Sequence, residues 1–320
     1  MQTQIIHFLK HAQGYLSGEE ISRHFKISRA AIWKNMQDLR RQGYDIVAVP
    51  HLGYQLVSCP DQLIPREIQF ELKTKIFGKN IISYDSLSST MDVAFRSGLE
   101  GAQEGTVVCA ETQTKGRGRL GRNWTSPKGK GIYMSIILRP SLPPTDVARL
   151  TLLGAVAVAE GIQKACGILP KIKWPNDLLI NNRKVAGILT EMSAEMDRVR
   201  FVVLGVGINV NTPISLLPSN ATSLKVESGK TVSRVLLVQE ILSSLEFWYE
   251  SLKTDGFEPV IAQWKELSLT LGQRVQVIDP SGSVEGEAVD LDEHGGLIIR
   301  NDSGLRIQRM TGDVIHENVS

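Results

Sequence analysis

The sequence predicts an α+β protein in three parts: a winged helix-turn-helix over residues 1–60, a central mixed sheet with helices over 65–270, and a small β-barrel over 271–320. Three observations carry this prediction. Residues 3–41 repeat apolar side chains at helical spacing and are followed by two alternating stretches. The middle of the chain joins strands by hairpins as often as by helices. Residues 271–317 contain only short strands and turns.

Ile5, Ile6 and Leu9, widened by Phe8 and Ala12, give the first helix one apolar stripe. Ser17 with Glu20 three residues on reads as a capping box, opening a second helix with Ile21 and Phe25 inward. Lys26-Ile27 turns the chain, Ser28 caps a third helix whose Ile32, Met36 and Leu39 face inward, and Gly43 ends it. Asp45–Val49 and Gly53–Val57 alternate around Pro50-His51-Leu52 and form the wing. Ser58–Gln62 reads as a linker, and Pro65 starts a helix to about Phe77. Further strands are expected at 81–84, 106–111, 132–138, 171–174, 178–180, 185–191 and 200–208. Helices are expected at 89–98, 146–166, 232–253 and 256–267, on one face of the sheet. Turns at Asp279–Gly282, His294–Gly296 and Asn301–Gly304 separate the strands of the last part.

A chain of 320 residues that is 42% apolar and 22% charged can bury a sizeable core. Its 36 basic and 34 acidic residues leave a net charge of +2, so any nucleic-acid binding must come from a local patch. The third helix offers one, with Arg29, Lys34, Arg40 and Arg41 against Asp38. A helical cap with solvated cations is the alternative for this module. Cys59, Cys109 and Cys166 are odd in number and widely spaced, which argues for a reducing cytoplasm and against a zinc site. His7, Lys10 and His11 interrupt the first apolar stretch, so it does not read as a secretory signal. The longest apolar run, Leu150–Ala159, is far short of the ~20 residues that span a bilayer, so no membrane partner is expected.

Residues 115–124 put four cations and three glycines into ten positions, and Lys115 to Lys130 holds six basic residues without an acid. Glycines allow positive φ and bring N–H groups close to a ligand, and guanidinium forks pair with phosphate or carboxylate oxygens. A solvated basic loop would not call for glycines at alternate positions beside arginines. Gly116, Gly118 and Gly121 also satisfy Gly-x-Gly-x-x-Gly, but Pro127, Gly129 and Gly131 prevent the helix that a dinucleotide fingerprint requires. So much like charge with so little apolar surface predicts a loop that stays mobile until an anion neutralises it.

Lys173-Trp174-Pro175-Asn176-Asp177 ends a strand with a cation, an amide and a carboxylate beside a large aromatic, as small-molecule sites are furnished. The following hairpin is read with a three-residue turn, Asn181-Asn182-Arg183, which sets Ile180 opposite Lys184 and Asp177 opposite Gly187. Lys184 is then either a solvated hairpin lysine or a site cation. Gly205-Val206-Gly207-Ile208-Asn209 closes another strand with two glycines and an amide, for which a bulge is the structural account. Ser88-Ser89-Thr90 either caps the next helix or presents hydroxyls to a ligand.

Gly116–Arg122, Lys173–Leu178, Lys184–Leu189 and Gly205–Asn209, in that order, resemble the biotin protein ligases. With both terminal modules, the chain resembles the bifunctional bacterial form over essentially all 320 residues: a biotin–[acetyl-CoA-carboxylase] ligase that also represses biotin synthesis genes. The resemblance implies a class II synthetase-like catalytic domain, an SH3-like carboxy-terminal domain, and a cytoplasmic enzyme using biotin, ATP and Mg2+. It implies that biotinyl-5′-AMP forms first and that a lysine of the biotin carboxyl carrier protein then takes the biotinyl group.

By the same resemblance, Ser89, Thr90, Met91, Gln113, Gly116, Arg117, Gly118, Arg119, Lys184 and Gly187 would contact biotin. Arg119, Arg122, Trp124, Lys173, Asn176, Lys184 and Asn209 would hold the nucleotide. Arg117, Arg119 and Lys184 would meet the accumulating negative charge, Asp177 would orient or deprotonate the acceptor lysine, and no metal ligand is assigned. Gly18, Ser28, Arg29, Ala30, Trp33, Lys34 and Gln37 would face operator DNA in a homodimer formed when the adenylate orders the basic loop. Met91 stands where asparagine is frequent, and Leu120 where a further basic residue is common. A non-enzymatic effector-binding repressor and a lipoate or octanoate ligase are the alternatives; the retained Lys184, Asp177 and arginine loop favour the biotin ligase.

Overall fold

The computed structural model describes residues 1–316, so the end of the expected 271–320 part lies outside the described residues. The chain divides into two compact units, Met1–Gln62 and Leu63 onward.

The first unit contains α1 (Gln2–His11), α2 (Gly18–Phe25), α3 (Arg29–Arg41), β1 (Asp45–Val49) and β2 (Gly53–Ser58). The capping box at α2 is reciprocal: Ser17 Oγ accepts from the Glu20 amide at 3.1 Å, and Glu20 Oε2 accepts from the Ser17 amide at 2.8 Å. Such a cap contributes about 1 kcal/mol. Lys26 takes the left-handed conformation that reverses the chain, and Ser28 Oγ accepts from the Ala31 amide at 3.2 Å to start α3. Ile5, Ile6, Leu9, Ile21, Ile32, Met36 and Leu39 close a core with Tyr44 and Ile46. Gly53 has φ +111°, and a Cβ there would stand 2.1 Å from the Leu16 carbonyl oxygen, so the wing can return to α2 only through a glycine.

In the second unit α4 (Pro65–Ile68) is one turn long, not the helix to Phe77 that the sequence suggested. Glu71 takes a positive φ, and the next backbone amides are satisfied from elsewhere. Those of Lys75, Ile76 and Phe77 donate to the Glu246 carboxylate at 2.5, 2.9 and 3.0 Å. A side chain far away in sequence therefore replaces the helical ladder.

The central sheet is built from β3 (Ile81–Tyr84), β4 (Val107–Ala110), β5 (Gly131–Leu138), β6 (Lys171–Lys173), β7 (Asp177–Ile180), β8 (Arg183–Glu195) and β9 (Arg198–Asn209). Their order is β3-β4-β5-β9-β8-β7-β6, with β3 and β4 parallel and the other pairs antiparallel. One face is covered by α6 (Val147–Cys166), α8 (Arg234–Thr254) and α9 (Glu258–Leu267); the short α7 (Leu224–Ser228) lies between β9 and α8 in the chain. The expectation of helices on one face only is corrected by α5 (Thr90–Leu99), which packs Met91 and Ala94 on Val108, Ile137, Phe201 and Val203 of the opposite face. Every residue of β5 is buried, so both faces require cover. Beyond α5, that second face is where a cavity opens.

The last strands, β10 (Arg274–Asp279), β11 (Gly282–Leu291), β12 (Leu297–Arg300), β13 (Arg306–Arg309) and β14 (Asp313–His316), form the small antiparallel module in the order β13-β12-β11-β10-β14. It is fastened to the central sheet by Trp174, whose Nε1 donates to the Gly295 carbonyl at 3.1 Å. Among the described residues no helix is long and apolar enough to cross a membrane.

Candidate functional site

The cavity measures about 610 Å3, within the range of small-molecule sites. Its floor is glycine: Gly187 of β8 stands directly opposite Gly207 of β9, and Gly205 stands opposite Leu189. No bulge occurs there, because the pairing runs unbroken from Ala186–Ile208 to Ser193–Phe201. A Cβ on Gly207 would come within 2.7 Å of the Trp124 ring, and one on Gly205 within 2.5 Å of Met91 Sδ. What lies above the strand therefore demands the glycines.

The start of α5 forms one wall. Ser89 occupies its N-cap position without a capping hydrogen bond, and its buried Oγ has no partner among the described residues. The capping alternative is therefore not taken up, and the Ser89 side chain lines the cavity. The Thr90 amide and Oγ1 donate to Gln113 Oε1 at 2.8 and 3.1 Å, and Ser135 Oγ donates to Thr90 Oγ1 at 2.9 Å. Gln113 Nε2 donates to Ser126 Oγ at 3.1 Å. This cluster is neutral and fixed in place.

The β6–β7 hairpin, with a cis Trp174–Pro175 bond, forms another wall and sets Lys173 opposite Asp177. Asn176 Nδ2 donates to the Ile188 carbonyl at 2.7 Å, and Trp174 turns into the core. The β7–β8 turn has two residues, not three: Asn181 and Asn182 both take positive φ, as tight hairpins require. Ile180 therefore faces Arg183 and Leu179 faces Lys184. A register shift after Leu178 then restores the expected pairing of Asp177 with Gly187. Lys184 is no solvated hairpin lysine. Its Nζ lies 2.6 Å from Asp177 Oδ1 and 5.5 Å from the Trp124 ring centroid, and its backbone bonds Asn220 and Thr222 at 2.9 Å each. Asn209, at the end of β9, is buried in the cavity wall.

The basic loop folds back on itself, with the Gly118 amide donating to Arg122 O at 2.7 Å and the Trp124 amide to Gly116 O at 2.9 Å. Of its glycines only Gly121 uses positive φ, together with Leu120 at +55°. Gly116 serves a different need: a Cβ would stand 2.6 Å from the Trp124 carbonyl oxygen, and the residue supports the loop from outside the cavity wall. The loop's charge is also compensated by carboxylates of the chain itself, whereas the sequence left its neutralisation to a bound anion. Arg117 pairs with Asp92 and with Glu191, the latter at 3.0 and 3.1 Å. Arg122 pairs with Asp313 of β14. Arg119 donates to Asn176 Oδ1 at 3.2 Å and to the Gly312 carbonyl at 2.9 Å.

Glu191 hydrogen bonding raises the Arg117 pKa, and Asp313 raises that of Arg122. Burial lowers those of Arg119 and Lys173, in each case against the pull of nearby carboxylates. Sequence reasoning missed Asp92, Glu191 and Asp313, which stand 25, 74 and 191 positions from their arginines. Spacing carries no signal over such separations.

On the first unit, burial of Ile32, Met36 and Leu39 leaves Arg29, Ala30, Trp33 and Lys34 exposed on the opposite side of α3, with Ser28 at its start. Gln37 and Gly18 are half-buried, and Trp33 is 60% exposed. Two of the expected cations are engaged within the unit: Arg40 Nε donates to the Ile46 carbonyl at 2.8 Å, and Arg41 pairs with Asp38 at 2.6 Å. Arg29 lies 3.5 Å from Glu19 in a solvent-exposed pair.

Family matches place this fold among the protein ligases and add a helix-turn-helix domain ahead of it. Residues 83–209 match the biotin/lipoate A/B protein ligase family, residues 1–55 a helix-turn-helix domain, and residues 270–317 the biotin protein ligase C-terminal domain. The bifunctional ligase/repressor BirA of Bacillus subtilis is 43% identical over 296 residues, 91% of each chain. That of Escherichia coli is 29% identical over 91% of this chain and 89% of its own. Among solved structures, the biotin protein ligase of Aquifex aeolicus in complex with biotin and ATP superposes with TM-score 0.65 at 30% identity, covering 75% of this chain and 99% of that one. The chain belongs to the BirA family of bifunctional ligase/repressors.

Proposed function

We propose that the chain is an ATP-dependent biotin–[biotin carboxyl carrier protein] ligase and a biotinyl-5′-AMP-dependent repressor of biotin synthesis genes, acting in the cytoplasm. The observation that carries this reading is the polarity of one cavity. Neutral hydroxyl and amide groups from Ser89, Thr90 and Gln113 stand on the α5 side, and Lys173, Lys184 and Arg119 stand on the other walls. Biotin has the same polarity, a neutral ureido head and a carboxylate tail.

In the first step a biotin carboxylate oxygen attacks the α-phosphorus of Mg-ATP. The bond to the β-phosphate oxygen breaks and pyrophosphate leaves. An anion approaches a polyanion, so preorganised cations at the carboxylate–phosphate junction lower the barrier. Mg2+ enters with the nucleotide; among the described residues no group of three or more His, Cys, Asp or Glu is placed to hold an ion alone. In the second step the acceptor lysine's amine attacks the anhydride carbonyl, AMP leaves, and an amide forms with loss of a proton. When the adenylate phosphate takes over Lys184, Asp177 is released from its 2.6 Å contact and can receive the incoming amine.

The adenylate would also bridge cations of the loop and favour a homodimer that sets two α3 helices on a palindromic operator. Biotin-dependent ATP–pyrophosphate exchange, with lipoate as the competing acid, tests the enzyme. A gel shift on the organism's own biotin-gene promoter, with and without biotin and ATP, tests the repressor. Exchange with lipoate alone, or a shift independent of biotin, would overturn the respective half.

A further inference from the structure

Met91, at the second position of α5, is 4% exposed and lies directly over Gly205. A Cβ on Gly205 would meet its Sδ at 2.5 Å and its Cγ at 3.4 Å. The clashing atoms belong to a flexible thioether, so a methyl on Gly205 displaces Met91 before it displaces β9. At its other end the helix is packed tightly on the sheet. Gly98 at its far end has no room for a Cβ, which would stand 2.6 Å from the Phe201 ring, and Phe95 packs edge-on against the same ring at 5.2 Å between centroids. Around Met91 the inward directions are filled by Ala94, Val108, Ile137, Phe201 and Val203. The open direction is the cavity, which Met91, Gly205 and Leu189 line together.

We infer that Met91, seated on Gly205, sets the depth of the cavity at its neutral end and so determines which ring systems the site accepts. The inference rests on the biotin reading above and names the residue pair that would read the bicyclic head. A thioether is suited to this, being apolar, polarizable and able to follow an irregular surface.

The test uses Met91→Ala, Gly205→Ala and the double variant in full-length protein, with biotin, biotin sulfone enlarged at the ring sulfur, and homobiotin lengthened in the tail. Gly205→Ala should raise the KM for biotin about ten-fold by pushing the thioether into the cavity. Met91→Ala should shift the biotin-to-sulfone ratio of kcat/KM about ten-fold or more toward the sulfone and leave the biotin-to-homobiotin ratio in place. The double variant should recover most of the KM lost in Gly205→Ala. A purely structural role would lower the melting temperature without moving the sulfone ratio. An unchanged sulfone ratio in Met91→Ala, or a double variant no better than Gly205→Ala, overturns the inference. Biotin activation by the wild type is the separate check: its absence overturns the functional reading and the inference with it, whereas an active wild type with an unchanged ratio overturns the inference alone.

Discussion

Lys184→Met keeps the length of the side chain and removes its charge, which isolates the part of the site asked to stabilise developing negative charge. The ammonium is 2.6 Å from Asp177, with the two side chains 31% and 29% exposed. A pair so open to water contributes about 1 kcal/mol or less to folding, so the variant should melt close to the wild type. Adenylation is another matter. There the cation would sit where carboxylate and phosphate oxygens converge, and losing one preorganised donor of this kind costs about 100- to 1000-fold in kcat, or ~3 kcal/mol and upward. Biotin-dependent ATP–pyrophosphate exchange measures that step without the acceptor protein. Asp177→Asn is the companion variant: it should keep exchange and lose transfer to the acceptor lysine. Exchange by Lys184→Met within ten-fold of the wild type, or equal loss of both steps in Asp177→Asn, would refute the assignment of roles.

Three further outcomes follow from the same geometry. Arg234 is 2% exposed and holds Glu111 at 2.7 Å, and that carboxylate also accepts from the Leu63 amide at 2.8 Å. Arg234→Met should therefore lower the unfolding free energy by about 3–5 kcal/mol in urea titration, while Arg234→Met/Glu111→Gln should cost less than the sum of the single changes. Burial pushes the Cys109 thiol up from its ordinary 9.0 to about 12. The folded state then holds a proton that the unfolded state releases, so this group's contribution is intact below pH 9 and declines as pH rises toward 12; Cys109→Ala should remove its share of the alkaline loss of stability, while the buried Tyr133 and Tyr249 keep theirs above pH 10. On the exposed face of α3, Lys34→Ala should weaken operator and non-specific DNA alike and reduce the salt-dependence slope by about 1; a sequence-selective loss would place the residue at a base edge instead.

The helices of the first unit were legible because each boundary has a local cause. Ser17 with Glu20 and Ser28 with the Ala31 amide act within four residues, and the structure keeps both caps. The strands of the central sheet were legible from their apolar runs, down to Ile81–Tyr84 without a shift. Failures fell where the deciding group lies far away in sequence. The segment after Pro65 leaves its helix because Glu246 takes three of its amides. The basic loop reads as uncompensated because its carboxylates come from α5, β8 and β14. For Gly205 and Gly207 a bulge stood as the structural alternative, because nothing nearby in the chain announces Met91 or the Trp124 ring above them. The two-residue hairpin could have been read from Asn181-Asn182, since consecutive asparagines tolerate the left-handed conformations that such a turn needs.

Mass-spectrometric trapping of the bound product after incubation with biotin and Mg-ATP bears most directly on the claim that this cavity activates biotin. The account predicts biotinyl-5′-AMP retained by the purified wild type and strongly depleted when Arg117 and Arg119 are neutralised together. Absence of the adenylate from the wild type, or its undiminished formation without those two guanidinium groups, would contradict it.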